Sequence, residues 1–421
     1  MSTTAIDRPA PPLHTPAWDR WFVAGGAWLV PVPIAAFLLC QAAGLSVAAA
    51  EDVVTLLVMV PLGGPHVFAT YTRTYLNPKF RREEPLLFGL GLAVPLIIVT
   101  AVVASAFFDV TIAGSPPMRY VLTFFFFWAG LHIVQQHAFV HAALPRLAPR
   151  AKRWDVVEVA VMLLAMYPAS LFRMSMVDTT DASMRFANPD ALATRVVTWL
   201  GGSAQCADDY VFRIGRVAPA LPGWLLHPAV WIAVTVAFAI VLALFVARVR
   251  HERRRGIEDP NRTRLVASMA LVGATVPLLP NLDSAFQGLN AWHSFQYLGI
   301  AWLMNRRSLA RGEIDSPWFA RIAADGAQWR FYRTALGATL AMVAALLGTA
   351  WLLTRFGGGE FAMFGHDEPL RDAAGNALYR PGAVLLAYYL LGFSLLLVHY
   401  LHDGVFFCRR RYLRGSTIST P

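Results

Sequence analysis

Long apolar stretches alternate with short polar segments along most of the chain. About 20 consecutive apolar residues are enough for a helix to cross the hydrocarbon core of a bilayer. Ten candidate spans of this kind occur, at 21–47, 53–76, 86–110, 119–145, 155–173, 226–247, 264–280, 284–304, 331–354 and 382–407. Because the short alternating segments typical of a β-barrel do not occur, the pattern predicts an all-α fold, a polytopic transmembrane helical bundle with about ten spans.

Composition supports the same fold class. Of the 421 residues, 57% are hydrophobic and only 15% are charged, whereas an ordinary soluble domain has about 25% charged residues. The net charge of +10 does not indicate a nucleic-acid partner, because the basic residues lie in short loops and form no single stripe or tail. The three cysteines, Cys40, Cys206 and Cys408, are too far apart in sequence to form a CxxC motif.

The distribution of basic residues predicts the orientation. Arginine and lysine gather in the loops after the second, fourth, sixth, eighth and tenth spans, and the opposite loops are neutral or acidic. Because basic loops face the cytoplasm, we predict a multi-pass inner-membrane protein with both termini in the cytoplasm. Its predicted organisation is a cytoplasmic N-terminal segment at 1–20, a single transmembrane domain at 21–407 and a basic cytoplasmic tail at 408–421. The first segment lacks the apolar region of a signal peptide, so the first span is expected to act as the signal anchor.

One outer loop, at 174–225, is long enough to contain structure of its own. Asn188-Pro189-Asp190 precedes apolar residues at helical spacing, namely Leu192, Val196, Val197 and Leu200. This pattern is typical of a capped amphipathic helix. We predict an interfacial helix that covers the bundle, and a lid over a substrate entrance is the alternative.

Histidines are concentrated inside the predicted spans. Seven of the eleven lie there, namely His66, His132, His137, His141, His293, His399 and His402. With a rise of about 1.5 Å per residue, they lie roughly 6 to 20 Å from the cytoplasmic ends of their spans. Intramembrane histidines are costly and usually face the bundle interior. Four spans are therefore expected to bring imidazoles to one layer.

Helical phase groups these histidines with other polar side chains. In the last span, His399, His402 and Asp403 project within about 100° of arc. In the fourth span, His137 and His141 are one turn apart. The other predicted groups are His132 with Gln136, His293 with Asn290, Gln296 and Tyr297, and His66 with Thr70 and Arg73, just after Gly63-Gly64-Pro65, which should loosen the helix.

These groups predict a buried metal site. Its candidate ligands are His66, His132, His137, His141, His293, His399, His402 and Asp403, and the residues expected to support them are Gln136, Asn290, Gln296 and Arg73. Asp403 either ligates directly or orients an imidazole, and Tyr297 and Asp403 are the candidates for a catalytic role. Arg73 either holds an anionic headgroup or carboxylate or extends to the interface. Glu158 is expected to pair with a basic side chain, and the alternative role for each histidine is a hydrogen bond between helices.

The ligand chemistry favours iron. Imidazole and carboxylate without thiolate suit iron, and also copper or zinc, and open coordination positions suit non-haem iron acting on dioxygen. Six to eight donors are enough for two ions, so two iron ions are predicted. A site inside the bilayer is most easily reached by a hydrophobic or lipid-like substrate, and the run from Phe124 to Trp128 either lines its pocket or forms ordinary packing surface. No GxGxxG fingerprint supplies electrons internally, which leaves room for an external electron donor.

The histidine motifs HxxxxHxxxH at His132 to His141 and HxxHD at His399 to Asp403 resemble those of integral-membrane non-haem di-iron enzymes of the fatty-acid desaturase and hydroxylase class. More loosely, the chain is similar to the bacterial carotene-cleaving dioxygenases, which are polytopic and use histidines from several spans. The resemblance implies iron, dioxygen and a hydrophobic substrate that is hydroxylated, desaturated or cleaved. This sequence has His402-Asp403 where the desaturase motif has paired histidines, and its motifs lie within spans.

Two other functions remain open from the sequence. Histidines at matching depth, such as His66 and His293, are suitable axial ligands of haem in an electron-transfer or quinone-linked membrane protein. The same histidines would also suit a metal or proton pathway in a transporter, because ionisable residues collect near the midplane there too.

Overall fold

The computed structural model describes residues 12–108, 110–112, 116–144, 152–175, 222–279, 281–356 and 382–408. Over these residues the secondary structure is helical, with no β-strand. Its main helices are α1 (Pro31–Ala42), α2 (Ala49–Arg73), α3 (Pro78–Glu83), α4 (Pro85–Ala106), α5 (Pro117–Ala143), α6 (Arg153–Met174), α7 (Pro228–Arg254), α8 (Pro260–Thr275), α9 (Leu282–Ala310), α10 (Pro317–Ala323), α11 (Gln328–Arg355) and α12 (Ala383–Cys408).

Proline positions explain where many of these helices begin. A proline lacks the N–H that would be unsatisfied in the first turn anyway, and its fixed φ suits a helix start. Helices α3, α4, α5, α7, α8 and α10 all begin at a proline. Polar caps complete other ends, because the Asn281 side chain accepts a hydrogen bond from the backbone N–H of Ser284 at the start of α9.

A membrane-spanning helical bundle is supported by the length and composition of the helices. In the described part of the chain, seven helices are long and apolar enough to cross a membrane, namely α2, α4, α5, α6, α7, α11 and α12. An eighth span results if Pro16–Val23 and Gly26–Ala42, which are bent by 42° at their junction, form one crossing. The predicted spans at 264–280 and 284–304 coincide with α8 and α9, which do not qualify on length and composition.

The helix α9 nevertheless runs beside α2 from end to end. Near its start, the Asn281 side-chain amide donates to Glu51 Oε1 at 2.7 Å, and beyond its end Lys79 Nζ donates to Glu313 Oε1 at 3.0 Å. Hydrogen bonds from Arg311 and Lys79 hold the pKa of Glu313 at about 2, so this bridge is ionised at neutral pH. With 29 residues, α9 is about 43 Å long. The helix is long enough for a membrane span and is excluded from the candidate spans only by its composition, because it carries polar residues that the neighbouring helices cover.

The helix α8 is aligned with α6 in the same way. At one end, Arg262 Nη2 donates to Asp155 Oδ1 at 3.0 Å, and at the other Arg173 Nη1 donates to the Leu279 carbonyl at 2.7 Å. The 16 residues of α8 extend about 24 Å, and a 3-10 turn at Val276–Leu278 continues the chain to the level of Arg173. Both α8 and α9 therefore cover the same thickness as a helix that qualifies as a span.

Two π-helical turns lie next to the histidine-bearing parts of their helices. Met59–Gly63 precedes His66 in α2, and Tyr388–Phe393 precedes His399 in α12. The first agrees with the expectation that Gly63-Gly64-Pro65 loosens the helix, because proline removes a backbone hydrogen bond that a wider turn accommodates. Gly64 also lets α2 approach α11 closely, since a Cβ at that position would overlap the Thr339 side chain.

Three predicted segments lie wholly or largely outside the described residues. They are the amphipathic helix after Asn188 in the loop at 174–225, most of the N-terminal segment at 1–20 and nearly all of the basic tail at 408–421. Residues 12–20 of the N-terminal segment are described, and they pack on the C-terminal end of α9. Arg307 Nη2 donates to the Leu13 carbonyl at 3.1 Å, and Arg306 Nη1 lies 3.3 Å from His14 Nδ1.

Candidate metal centre

Four histidines from four helices converge in the interior of the bundle. They are His66 of α2, His132 of α5, His293 of α9 and His399 of α12, and each is at most 2% exposed. The His66 ring centroid lies 4.7 Å from that of His293 and 4.4 Å from that of His399. The His132 ring centroid lies 4.9 Å from each of the same two rings. We call these residues the four-histidine group.

The nitrogens of the four-histidine group are close enough to share one ion. Each residue offers one nitrogen, and these nitrogens all lie within 4.8 Å of one another. Two nitrogens bound to one ion at about 2.1 Å lie at most about 4.2 Å apart. In its widest pair, the group therefore needs an inward movement of at most about 0.3 Å per ligand if the two nitrogens are opposite each other, and about 0.7 Å in a tetrahedral site.

Unpaired nitrogens in the group have the character of metal ligands. Within the described part of the chain, Nε2 of His66 and His399 and both ring nitrogens of His132 and His293 are buried without a hydrogen-bond partner. Burying an unpaired polar atom costs roughly 1–3 kcal/mol. One nitrogen of each of the four imidazoles, four in all, would be stabilised together if an ion accepted its lone pair.

A hydrogen-bond chain orients His66. Its Nδ1 lies 3.0 Å from Ser294 Oγ, and the Ser294 hydroxyl donates to Asn290 Oδ1 at 3.2 Å. Because that hydroxyl hydrogen is used on Asn290, His66 Nδ1–H acts as the donor to Ser294. The tautomer inferred from this network leaves the Nε2 lone pair free to face the group. Asn290 therefore contacts the four-histidine group through Ser294.

A hydrogen-bond network that ends at the Asp403 carboxylate orients His399. Its Nδ1 lies 2.6 Å from Thr70 Oγ1, and both Thr70 and Tyr297 donate to Asp403 Oδ1, at 3.1 and 2.8 Å. Because the single Thr70 hydroxyl hydrogen is used on Asp403, His399 Nδ1 is the donor to Thr70 and carries a hydrogen. This arrangement leaves His399 Nε2 as the coordinating atom. Asp403 thus occupies the orienting position, and Tyr297 contacts the group through its ring, 4.5 Å from that of His66.

The other two histidines are held by packing and by amides of neighbouring helices. Tyr400 stacks on His132 with ring centroids 4.3 Å apart. Gln136 Nε2 donates to the His293 carbonyl and to Gln296 Oε1, both at 3.0 Å. Gln296 in turn donates to the Val23 carbonyl at 3.3 Å. These amides join α5, α9 and the segment before α1, and so fix the helices that carry His132 and His293.

Two more of the predicted ligands lie near the group but point elsewhere. His402 packs against Tyr75 and Phe80, and its Nε2 lies 3.4 Å from the Leu87 carbonyl of α4. His137 Nδ1 lies 2.8 Å from the Ile133 carbonyl of its own helix, and its ring packs on Trp292. Neither belongs to the set of nitrogens within mutual reach.

His141 belongs to a separate buried ionic cluster. Its Nε2 lies 2.6 Å from Glu158 Oε2, and Glu158 also pairs with Arg248. Arg262 Nη2 lies 3.0 Å from Asp155 Oδ1 and 2.9 Å from His141 Nε2. This cluster joins α5, α6, α7 and α8, and Glu158 has the basic partners that the sequence led us to expect.

The ionic cluster has the wrong charges for a second metal centre. His141, Asp155 and Glu158 are close enough to ligate an ion. However, the guanidinium groups of Arg248 and Arg262 already neutralise the two carboxylates. A divalent cation would stand beside two fixed positive charges in a low-dielectric interior, where like charges repel strongly. The two arginines already supply the positive charge that a bound cation would bring, so the cluster is an ion-pair network.

Two important residues were not among the predicted site residues. Thr70 links His399 to Asp403, and Ser294 links His66 to Asn290. Thr70 is four residues after His66, and Ser294 adjoins His293 in sequence. The sequence therefore contained a usable signal for both residues. A hydroxyl that lies one helical turn from a buried histidine, or adjoins one in sequence, is close enough to the site to bond an imidazole. Which imidazole it bonds depends on the packing of helices.

Weakening the Asp403 network should lower metal affinity without abolishing binding. Loss of an outer hydrogen-bond partner of a ligating histidine typically costs about 10–100-fold in affinity. We expect Thr70→Val and Asp403→Asn to fall in this range, and Tyr297→Phe to have a smaller effect because Thr70 still bonds Asp403. Competition titration with a chelator measures the affinities. Unchanged affinity in both Thr70→Val and Asp403→Asn would contradict the orienting role.

No family model matches the chain, and no curated protein or solved structure is significantly similar to it. The conclusions about this site therefore depend on its own residues: in this protein, a four-histidine group buried in a helical bundle could hold a metal ion.

Proposed function

We propose that the protein is a membrane-embedded non-haem iron oxidoreductase that uses dioxygen on a hydrophobic, lipid-like substrate. The observation that carries the proposal is the four-histidine group, in which four buried nitrogens, one from each imidazole, lie within 4.8 Å of one another. Iron bound there would supply redox chemistry with dioxygen at coordination positions left open by four protein ligands. The resemblance of the histidine motifs to the desaturase and hydroxylase class supports the same proposal.

The donor set favours one ion over the two predicted from the sequence. Of the eight proposed ligands, the four in the group are imidazoles, and Asp403 lies outside it, behind His399, with Oδ2 3.6 Å from His399 Nδ1. Two divalent ions a few ångströms apart usually require bridging or ligating carboxylates to offset their repulsion. We therefore propose a mononuclear site with His66, His132, His293 and His399 as the ligands.

The same geometry favours a bare ion over haem. A haem iron with two axial histidines is surrounded in its equatorial plane by the porphyrin. In the four-histidine group, the other two imidazoles lie where that macrocycle would have to pass, since all four ligand nitrogens are within 4.8 Å of one another. Copper and zinc also accept four imidazoles, so the identity of the metal is decided by analysis of the purified protein.

Aromatic side chains beside the group support a hydrophobic substrate. Tyr400 stacks on His132, Phe125 stacks on Tyr400 with centroids 5.8 Å apart, and Trp128 contacts the same ring at 6.0 Å. The Phe-rich run in α5 therefore has one side directed towards the site, whereas Phe124 is 57% exposed on the other side. An apolar substrate that approaches from the acyl chains would meet this wall next to His132.

The end-to-end alignment of α8 and α9 with α6 and α2 supports ten spans with cytoplasmic termini in the inner membrane. The contacts of Leu13 and His14 with the end of α9 support an N-terminal segment on the same side as Lys79 and Glu313. Cysteines introduced at positions 278 and 312, which lie just before and just after α9, test the topology. Impermeant thiol reagents in intact cells should label the first and not the second, and labelling of both would contradict it.

Metal analysis of the full-length protein in a neutral detergent tests the proposed function. We expect about one iron per chain, no Soret band, and oxygen consumption that depends on an added fatty acid, sterol or carotenoid. A sharp Soret band would establish the haem alternative. Metal uptake into proteoliposomes that is lost in His399→Ala, without oxygen consumption, would establish the transporter alternative.

A further inference from the structure

The Arg73 guanidinium is buried without an acceptor near the four-histidine group. Arg73 is 5% exposed, and neither Nη1 nor Nη2 has a hydrogen-bond partner among the described residues. The guanidinium packs on an aromatic face, with its carbon 4.0 Å from the centroid of the Phe406 ring. A buried guanidinium whose donors are unused is costly. Arg73 is the last residue of α2, but its side chain is covered by its neighbours instead of extending into the surroundings.

Other buried arginines of this protein have acceptors. Arg173 donates to the Pro277 and Leu279 carbonyls, and Arg262 pairs with Asp155. The guanidinium nitrogens of Arg248 also have no hydrogen-bond partner of good geometry, but they form an ion pair with Glu158. The contrast shows that the fold supplies partners where an arginine serves to join helices. Arg73 makes no such link, so its donors are available for a group that is not part of the described chain.

The nearby charges also favour an anion at Arg73. The Arg73 charge acts on Asp403 through space, and the Asp403 carboxylate is engaged by Thr70 and Tyr297. A divalent ion in the four-histidine group would add positive charge to the low-dielectric interior that already contains the Arg73 guanidinium, and an anionic ligand would reduce it.

Position along α2 gives the size of such a ligand. Arg73 follows His66 by seven residues, a rise of about 10 Å along the helix. Both residues lie on the same face, since seven residues complete almost two turns. Phe406 and Phe80, whose rings stack 5.5 Å apart, provide apolar surface beside Arg73. An extended chain gains about 1.2 Å per bond, so roughly eight bonds separate the anionic end from the metal level.

We propose that Arg73 binds the anionic end, a carboxylate or a phosphate, of an amphipathic lipid-like ligand whose chain runs to the four-histidine group. This inference rests on the proposed function for what happens to the chain, and it assigns the substrate class as an anionic amphiphile. Arg73 offers paired N–H donors in the planar arrangement that matches two oxygens of a carboxylate or phosphate.

Binding of matched charged and neutral probes tests the proposal. Full-length protein in phosphatidylcholine nanodiscs is titrated with hexadecanoate, methyl hexadecanoate and hexadecanol, in competition with a fluorescent fatty acid. We expect wild type to bind hexadecanoate at least about tenfold more tightly than the two neutral probes. Arg73→Gln should remove this preference, and Arg73→Lys should retain part of it. Arg355→Gln is the matched control, because Arg355 also lies over an aromatic ring, that of Trp351, but is exposed.

The outcomes separate the source of the anion. If Arg73→Gln binds phosphatidylglycerol more weakly than wild type does, and the two proteins bind hexadecanoate equally well, the bound group is a lipid phosphate. A wild type that does not distinguish charged from neutral probes, or a preference that survives in Arg73→Gln, overturns the proposal. If Arg73→Gln misfolds, the comparison of probes on wild type and Arg73→Lys decides it. The same titration on His66→Ala measures anion binding in a variant that is expected to lack the metal. An anion preference that persists there supports the role of Arg73 even if the proposed function is wrong.

Discussion

Replacement of His399 by alanine should remove the bound metal, and so should the same change at His66, His132 or His293. Each variant deletes one of four nitrogens that lie within 4.8 Å of one another. Because loss of an outer partner already costs about 10–100-fold, loss of a ligand should lower metal affinity by more than about 100-fold. Elemental analysis of each purified variant, together with chelator competition, measures the effect.

His402→Ala is the matched control for this experiment. His402 lies on the same helix as His399, three residues later, and is equally buried, but it faces the Leu87 carbonyl of α4. We expect its metal content to equal that of wild type. His137→Ala should behave in the same way, because the His137 ring packs on Trp292. Metal loss in His402→Ala as large as in His399→Ala would contradict the four-histidine group and favour the wider set of ligands predicted from the sequence.

Glu158→Gln should be the most destabilising single change in the ionic cluster. Glu158 is fully buried and contacts His141, Arg248 and Arg262. Removal of its negative charge leaves the positive charges of two buried guanidinium groups only partly neutralised. Breaking a buried ion pair in this way lowers the free energy of unfolding by about 3–5 kcal/mol. Denaturant titration in detergent, followed by tryptophan fluorescence, measures the free energy of unfolding.

A surface ion pair provides the control for Glu158. Asp325 lies 3.0 Å from Arg306, and its side chain is 69% exposed, so Asp325→Asn should cost less than about 1 kcal/mol. The double variant Glu158→Gln with Arg248→Gln should lose less stability than the sum of the two single variants, because the pair is removed together. Additive losses, or a Glu158→Gln effect no larger than that of Asp325→Asn, would show that the cluster does not hold the four helices together.

The layer of the site could be predicted from the sequence, because depth depends only on position along a helix. His66, His132, His293 and His399 were all placed near the middle of the bilayer, and the structure brings these four together. The helical bundle itself could also be predicted, since apolar runs of sufficient length have few other solutions in a membrane.

The membership of the site could not be predicted in the same way. His399 and His402 are three residues apart, and the angle between them is enough to direct one towards α2 and the other towards α4. His141 is one turn beyond His137, and that turn takes it to Glu158 and Arg262. Which helix a face meets is decided by the packing of distant segments, about which a single sequence carries no direct information.

The polar composition of α9 affects how the protein is made. A helix is accepted by the membrane-insertion machinery largely on its own hydrophobicity, and asparagine, glutamine and histidine near its centre count against it. α9 is therefore expected to enter the bilayer together with helices that cover its polar face, such as α2. Because α12 follows α2, α5 and α9 along the chain, a growing polypeptide offers at most three of the four imidazoles before that helix is inserted. If the group holds a metal ion, loading is therefore a late step of biogenesis, because the four imidazoles are complete only after α12 has been inserted.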